Sequence, residues 1–225
     1  LLKNQGLQID YPLNQTCCGQ PMANSGCSKD VKKLAIEFVK TFKDFDYIVA
    51  PSGSCVSMVK EHYAEFFDND KDYNKVKASI YEVCEFFHDI IKIENINFNV
   101  SFPFKVGVHN SCHGHRVLKL ATASELNIPY DSKLKNLLNT ISDIELVTLK
   151  REDECCGFGG TFSVQEEAIS VAMGKDRIKD HIDSKAEIMT GADMSCLMHM
   201  DGIINRDKNP IKVMHIVEIL AGVKP

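Results

Sequence analysis

Seven of the nine cysteines in this chain fall into a repeated pattern. Two Cys-Cys-Gly triplets, Cys17-Cys18-Gly19 and Cys155-Cys156-Gly157, are each followed at a similar distance by a Ser-Cys pair, ending at Cys55 and at Cys196, and Cys112 precedes the second triplet. Thiolate sulfur is a soft ligand, so four converging cysteines suit a [4Fe–4S] or [2Fe–2S] cluster and leave its redox chemistry available. The set Cys112, Cys155, Cys156 and Cys196 supplies four sulfurs, and Cys17, Cys18 and Cys55 supply three. Adjacent cysteines on an extended strand would face opposite ways. Gly19 and Gly157 give the backbone the freedom to turn both sulfurs toward one centre.

Zinc is the rival for the same residues. Structural zinc sites are usually built from close pairs such as Cys-x-x-Cys, whereas Ser52 and Asp193 stand three positions before Cys55 and Cys196, so zinc is the less favoured ion and a substitute in a thiol-rich site. A thiol enzyme is the third reading, on the ground that His113 and His115 flank Cys112. Cys27 has no cysteine counterpart, and Cys84 aligns with Val217 as a small core residue, so both are expected outside the sites. His199 and His215 have no stronger claim to a role.

The elements that must position these cysteines form an internal repeat. LLKNQGLQIDYPLNQTCCG (Leu1–Gly19) parallels LLNTISDIELVTLKREDECCG (Leu137–Gly157): a helix end, a short alternating strand, a polar turn and the triplet. Each triplet leads into an amphipathic helix. Val31, Leu34, Ala35, Phe38, Val39 and Phe42 mark the first, Val164, Ala168, Val171, Ala172 and Ile178 the second, with Ser28 and Ser163 as N-caps. Short apolar strands follow at Tyr47–Ala50 and Glu187–Thr190, and the copies close alike in YEVCEFF (Tyr81–Phe87) and MHIVEIL (Met214–Leu220).

Strands alternating with helices imply an α/β fold of two tandem pseudo-symmetric units, each a small parallel sheet flanked by helices, spanning residues 1–101 and 102–225. The cysteines then follow strand carboxyl ends, the edge where open parallel sheets build their sites. The second unit opens with a strand, Lys105–His109, followed by Cys112. The first has no counterpart, and the repeat places one about 25 residues ahead of Leu1, so the natural chain is expected to be longer there.

A net charge of −5 with scattered Lys and Arg argues against a nucleic-acid partner. No apolar run reaches the roughly 18 residues of a membrane span, and the opening residues lack a signal-peptide layout. An odd cysteine count suits reduced thiols in the cytoplasm better than a closed disulfide framework. Neither a Gly-x-Gly-x-x-Gly fingerprint, nor a P-loop, nor a flavin motif occurs, so partners are expected to hold the substrate-oxidising cofactor.

The segments CCGQPMANSG, PSGSC, HNSCHGHR, ECCGFGGTFSV and DMSCLMH resemble the cysteine-rich (CCG) domain family. Within it they resemble the lactate-utilisation protein A group, also described as glycolate-oxidase-type iron–sulfur subunits, with the B-type component of heterodisulfide reductase a more distant relative. The resemblance covers essentially the whole chain. It implies an oxidoreductase subunit that transfers electrons during oxidation of L-lactate, or a similar 2-hydroxy acid such as glycolate, alongside proteins B and C of the same system. Its alternatives are a zinc-stabilised scaffold and a heterodisulfide-type thiol-disulfide oxidoreductase. The fuller family pattern ends each copy in Cys-x-x-Cys, and Ser52 and Asp193 occupy the first cysteine position here.

Overall fold

Short apolar runs flanked by helical segments leave the central strands, at Lys105–His109 and Ile188–Gly191, buried on both faces, which is the requirement of a parallel sheet covered by helices. A computed structural model describes residues 1–225. The first half consists of α1 (Gln20–Asn24), α2 (Ser28–Phe42), β1 (Ile48–Ala50), α3 (Gly53–Ser57), α4 (Lys71–Ser79), β2 (Ile80–Glu82) and α5 (Val83–Glu85). The second comprises β3 (Lys105–His109), α6 (Lys133–Leu138), β4 (Glu145–Leu146), α7 (Phe162–Gln165), α8 (Glu167–Asp183), β5 (Ile188–Gly191), α9 (Met194–Asp207), β6 (Lys212–His215) and α10 (Ile216–Leu220). Helical π turns extend α3 over Met58–His62 and α5 over Phe86–Lys92, and a further one covers His113–Val117.

Strands β1 and β2 pair in parallel, and a second parallel sheet runs in the order β4-β3-β5-β6. The fold class is therefore α/β with parallel sheets, as the repeat implied. In register, the end of β1 at Ala50 faces Glu82, and the end of β5 at Gly191 faces His215. Two residues beyond those ends, Ser52 and Asp193 cap α3 and α9 with their side chains. Glu82 and His215 each open a capping box that is closed by Glu85 and Glu218. These pairs tie β1-α3-β2-α5 to β5-α9-β6-α10 residue by residue.

Helix α2 buries Val31, Ala35, Val39 and Phe42, the stripe its spacing predicts. Other local expectations shift. Leu7–Thr16 forms no strand, and Ile9, Tyr11 and Leu13 are exposed. In the second half the equivalent β4 is held by pairing to β3, and the first half of this sequence supplies no such partner. Cys27, not Ser28, occupies the N-cap position of α2. The second amphipathic run breaks at Glu166, leaving Val164 exposed in the separate turn α7, and Ser163 donates its hydroxyl to the Gly160 carbonyl instead of capping a helix.

One apolar core runs through both halves, from Val31, Tyr63 and Phe87 to Val106, Leu134, Leu137 and Ile219. A smaller one, containing Ile178, Met189, Leu197, Met200 and Ile203, lies between α8, α9 and the sheet. The turns that follow β1 and β5 meet at a common seam, joined by hydrogen bonds from Gly53 and Ser54 to Ala192 and Asp193. No helix is long and apolar enough to cross a membrane.

Candidate metal centre

At both triplets the glycine is left-handed, Gly19 at φ 85° and Gly157 at φ 87°, which turns the chain back over the preceding sulfur. The Gly19 N–H points at Cys17 Sγ over 3.5 Å and the Gly157 N–H at Cys155 Sγ over 3.3 Å. Phe158 adds an N–H to Cys156 Sγ at 3.5 Å. Backbone donors of this kind stabilise charge on sulfur. Gly157 is also a packing requirement, because a Cβ there would lie 2.5 Å from the carbonyl oxygen of Ser170 on α8.

In the second half, Cys112 opens the π turn that follows β3, and Cys196 sits in the first turn of α9 beyond β5. Cys155 and Cys156 lie in the loop after β4. The four form a run of neighbours, with Cys112 and Cys156 beside Cys155 and Cys196 beside Cys156. A ring nitrogen of His109, at the end of β3, and the sulfurs of Cys156 and Cys196 are all within 4.8 Å of one another.

The consequence is electrostatic. Proximity to the Cys112 and Cys156 thiols, aided by the Gly157 N–H, holds the Cys155 thiol well below its ordinary range, while the same contact with Cys155, reinforced by burial, pushes Cys112 and Cys156 up. One thiolate forms readily and its neighbours resist following. Four thiolates in so small a space need a compensating cation, which is the environment a metal or iron–sulfur group provides. The donor set and the backbone N–H groups both fit such a group.

The first half is sparser. Cys18 Sγ and Cys55 Sγ are 3.4 Å apart, and donation from Cys18 and then Ser52 lowers Cys55 to about 6 against the opposing effects of burial and Asp193. Cys18 is pushed up by the same contact. Cys17 is exposed at the mouth of this pair. Cys27 is exposed, and Cys84 is fully buried beneath the capping carboxylate of Glu82, so neither joins a sulfur cluster.

The two thiol groups share the seam. Asp193, almost wholly buried, accepts the Ser54 N–H across it at 2.7 Å on Oδ2, while Oδ1 takes the Ser195 N–H at 3.2 Å and the Ser195 hydroxyl at 2.6 Å. The Gly53 N–H donates to the Ala192 carbonyl at 3.2 Å, and Gln20 Nε2 lies 3.1 Å from His113 Nε2. His113 thus faces the opposite half, whereas the other ring beside Cys112, His115, donates Nδ1–H to the Ser111 carbonyl at 2.8 Å. His199 lies beside Ser170 on α8, and His215 caps α10.

Sequence reasoning missed three participants. His109, Arg177 and Asp180 form a buried polar group behind the second cluster, and Asp193, noted only as standing where a cysteine was expected, proves to be the tie between the halves. The place of His109 at a strand's carboxyl end, just before Cys112, was the one signal available. Arg177 and Asp180 gave none, since charged residues on a helix ordinarily face water.

A family model described as a cysteine-rich (CCG) domain matches residues 1–60 and 106–201, two segments that contain all seven of these cysteines. Lactate utilization protein A of Geobacillus thermodenitrificans is 40% identical over 224 residues, covering 98% of this chain and 88% of the relative. The protein of that name in Oceanobacillus iheyensis is 38% identical, with 98% and 86% covered. The one from an Exiguobacterium species is 38% identical over 231 residues, with 100% and 89% covered.

Proposed function

This chain belongs to the cysteine-rich (CCG) domain family and, within it, to the lactate utilization protein A group, and on that premise we propose that it is a cytoplasmic iron–sulfur subunit carrying electrons from the oxidation of L-lactate. The observation that carries this reading is the run of neighbouring sulfurs from Cys112 through Cys155 and Cys156 to Cys196, with the N–H groups of Gly157 and Phe158 directed at it. These four would hold one cluster, taken here as [4Fe–4S], and Cys17, Cys18 and Cys55 would contribute to a second. When bound, such a group accepts and releases single electrons.

The chain's own residues prepare the site for that work. The N–H groups of Gly157 and Phe158 face the sulfurs and favour the more negative state. Asp193 holds the first turns of α3 and α9 against each other, so Cys55 and Cys196 are carried on one rigid seam. A shared seam favours passage of electrons between two centres. Oxidation of a 2-hydroxy acid to the oxo acid releases two electrons and two protons, and we assign the bond-breaking step to companion proteins and the onward transfer of electrons to this chain.

The test is to prepare the chain anaerobically, mix it with its companion proteins and add L-lactate. Bleaching of a visible iron–sulfur chromophore that depends on both lactate and the companions supports the proposal. A colourless chain holding zinc, or a chromophore indifferent to lactate, would refute it.

A further inference from the structure

Behind Cys156 and Cys196, His109 is 2% exposed and Arg177 0% exposed. Arg177 Nε–H donates to His109 Nδ1 at 3.3 Å, and its Nη1 pairs with Asp180 Oδ2 at 3.1 Å. The same guanidinium reaches the carbonyls of Arg151 and Val108. Asp180 in turn accepts the N–H groups of Lys150 and Arg151 at 3.1 Å each. Arg177 is thus fixed by groups on α8, on β3 and on the loop that leads into Cys155.

This arrangement decides where the proton on His109 sits. A guanidinium N–H can only donate, so Nδ1 must offer its lone pair and the single proton of the neutral ring lies on Nε2. Nε2 is buried and makes no hydrogen bond to the protein as the thiols stand. One nitrogen of this ring and the sulfurs of Cys156 and Cys196 lie within 4.8 Å of one another, which makes the sulfurs the acceptors nearest an unpaired ring N–H. A protonated ring nitrogen has no lone pair for a metal, so the tautomer that Arg177 imposes makes His109 a donor to the sulfurs and not a fifth ligand.

We propose that His109 is a positioning residue whose unpaired Nε2–H donates to the sulfurs of Cys156 and Cys196 once they hold a metal–sulfur group, its tautomer locked by the buried Arg177, and that it raises the electron affinity of that group. The inference deepens the iron–sulfur reading above and rests on it. An N–H···S bond strengthens as negative charge builds on sulfur, so it favours the reduced cluster over the oxidised one. Its removal should make reduction harder while leaving the four sulfur ligands in place.

The experiment compares wild type, His109→Phe, His109→Gln and Cys156→Ser after anaerobic reconstitution with iron and sulfide. Iron per chain and the midpoint potential, followed by visible absorbance, are the two readouts. His109→Phe is expected to load iron like wild type and to be reduced about tenfold less favourably, a downward shift of about 59 mV for a one-electron couple. His109→Gln, which keeps an N–H donor, should recover part of that shift.

An unchanged potential in His109→Phe overturns the inference, as does loss of iron in both His109 variants to the level of Cys156→Ser, which would make the ring a ligand. A second measurement needs no cluster and no substitution. Long-range proton–nitrogen correlation spectra of 15N-labelled, metal-free protein should show His109 protonated at Nε2, and protonation at Nδ1 would overturn the lock directly. Failure of the wild type to take up iron would instead refute the proposed function, and the tautomer would still decide the assignment of His109.

Discussion

Replacing Gly157 with Ala should damage this protein far more than the same change at Gly19, although the two glycines occupy matching places in the repeat. Both are left-handed, at φ 87° and 85°, so each alanine bears a backbone strain of about 1–2 kcal/mol. The added methyl groups meet different surroundings. At position 19 the nearest atom is Leu34 Cδ1 at 3.2 Å, the end of a side chain that can move aside. At position 157 the methyl would lie 2.5 Å from the Ser170 carbonyl oxygen and 2.7 Å from Met173 Cβ, both fixed to α8. Displacing a packed helix adds about 1–3 kcal/mol, so Gly157→Ala should cost about 2–5 kcal/mol in all. Urea unfolding of the metal-free chain measures this as a lower midpoint at an unchanged slope. Equal losses in the two variants would refute the reasoning, because they would mean that α8 does not press on the triplet turn.

Two further outcomes follow from buried acids. Burial lifts the Glu82 carboxyl from 4.5 to about 8, over the lowering effect of the N–H groups of Cys84 and Glu85, so between those values the folded chain holds a proton that the unfolded chain has released. Stability should therefore fall as pH rises from 4.5 to about 8 and level off above, relative to a Glu82→Gln variant, and unfolding curves that differ by a constant amount across that range would contradict it. Asp193→Ala removes the shared acceptor at the first turns of α3 and α9 and should cost about 1–2 kcal/mol for each helix start, with Asp193→Asn recovering part, whereas an unfolding midpoint unmoved in Asp193→Ala would show that the seam is held by other contacts.

Much of this architecture was legible in the sequence because repetition and apolar spacing are local signals. The stripe Val31, Ala35, Val39 and Phe42 requires only a helix and a core, and β1 and β5 lie where short apolar runs placed strands, whereas the capping roles of Ser52 and Asp193 were not read. Leu7–Thr16 misled because an alternating pattern becomes a strand only beside a partner, and β3, which performs that service for β4, has no counterpart in the first half of this sequence. Helix α8 was half legible for a different reason. Its buried face is built from Ser170, Gly174, Arg177 and His181 with the apolar Ile178, so the polar network that fixes His109 is invisible to a search for apolar periodicity. The candidate sulfur ligands announced themselves by residue type. Their supporting residues became visible only when α8, β3 and the triplet loop were seen together.

The central claim is that Cys112, Cys155, Cys156 and Cys196 hold an iron–sulfur group, and the most direct test is the iron and acid-labile sulfide content of anaerobically prepared protein in a cysteine series. Serine at any of these four positions should remove one cluster's share of iron and sulfide together, while Cys27→Ser and Cys84→Ala should retain the wild-type content, since Cys27 is exposed away from the cluster and Cys84 is sealed in the core. Wild-type protein without sulfide, or four serine variants that keep the full wild-type iron content, would contradict the account.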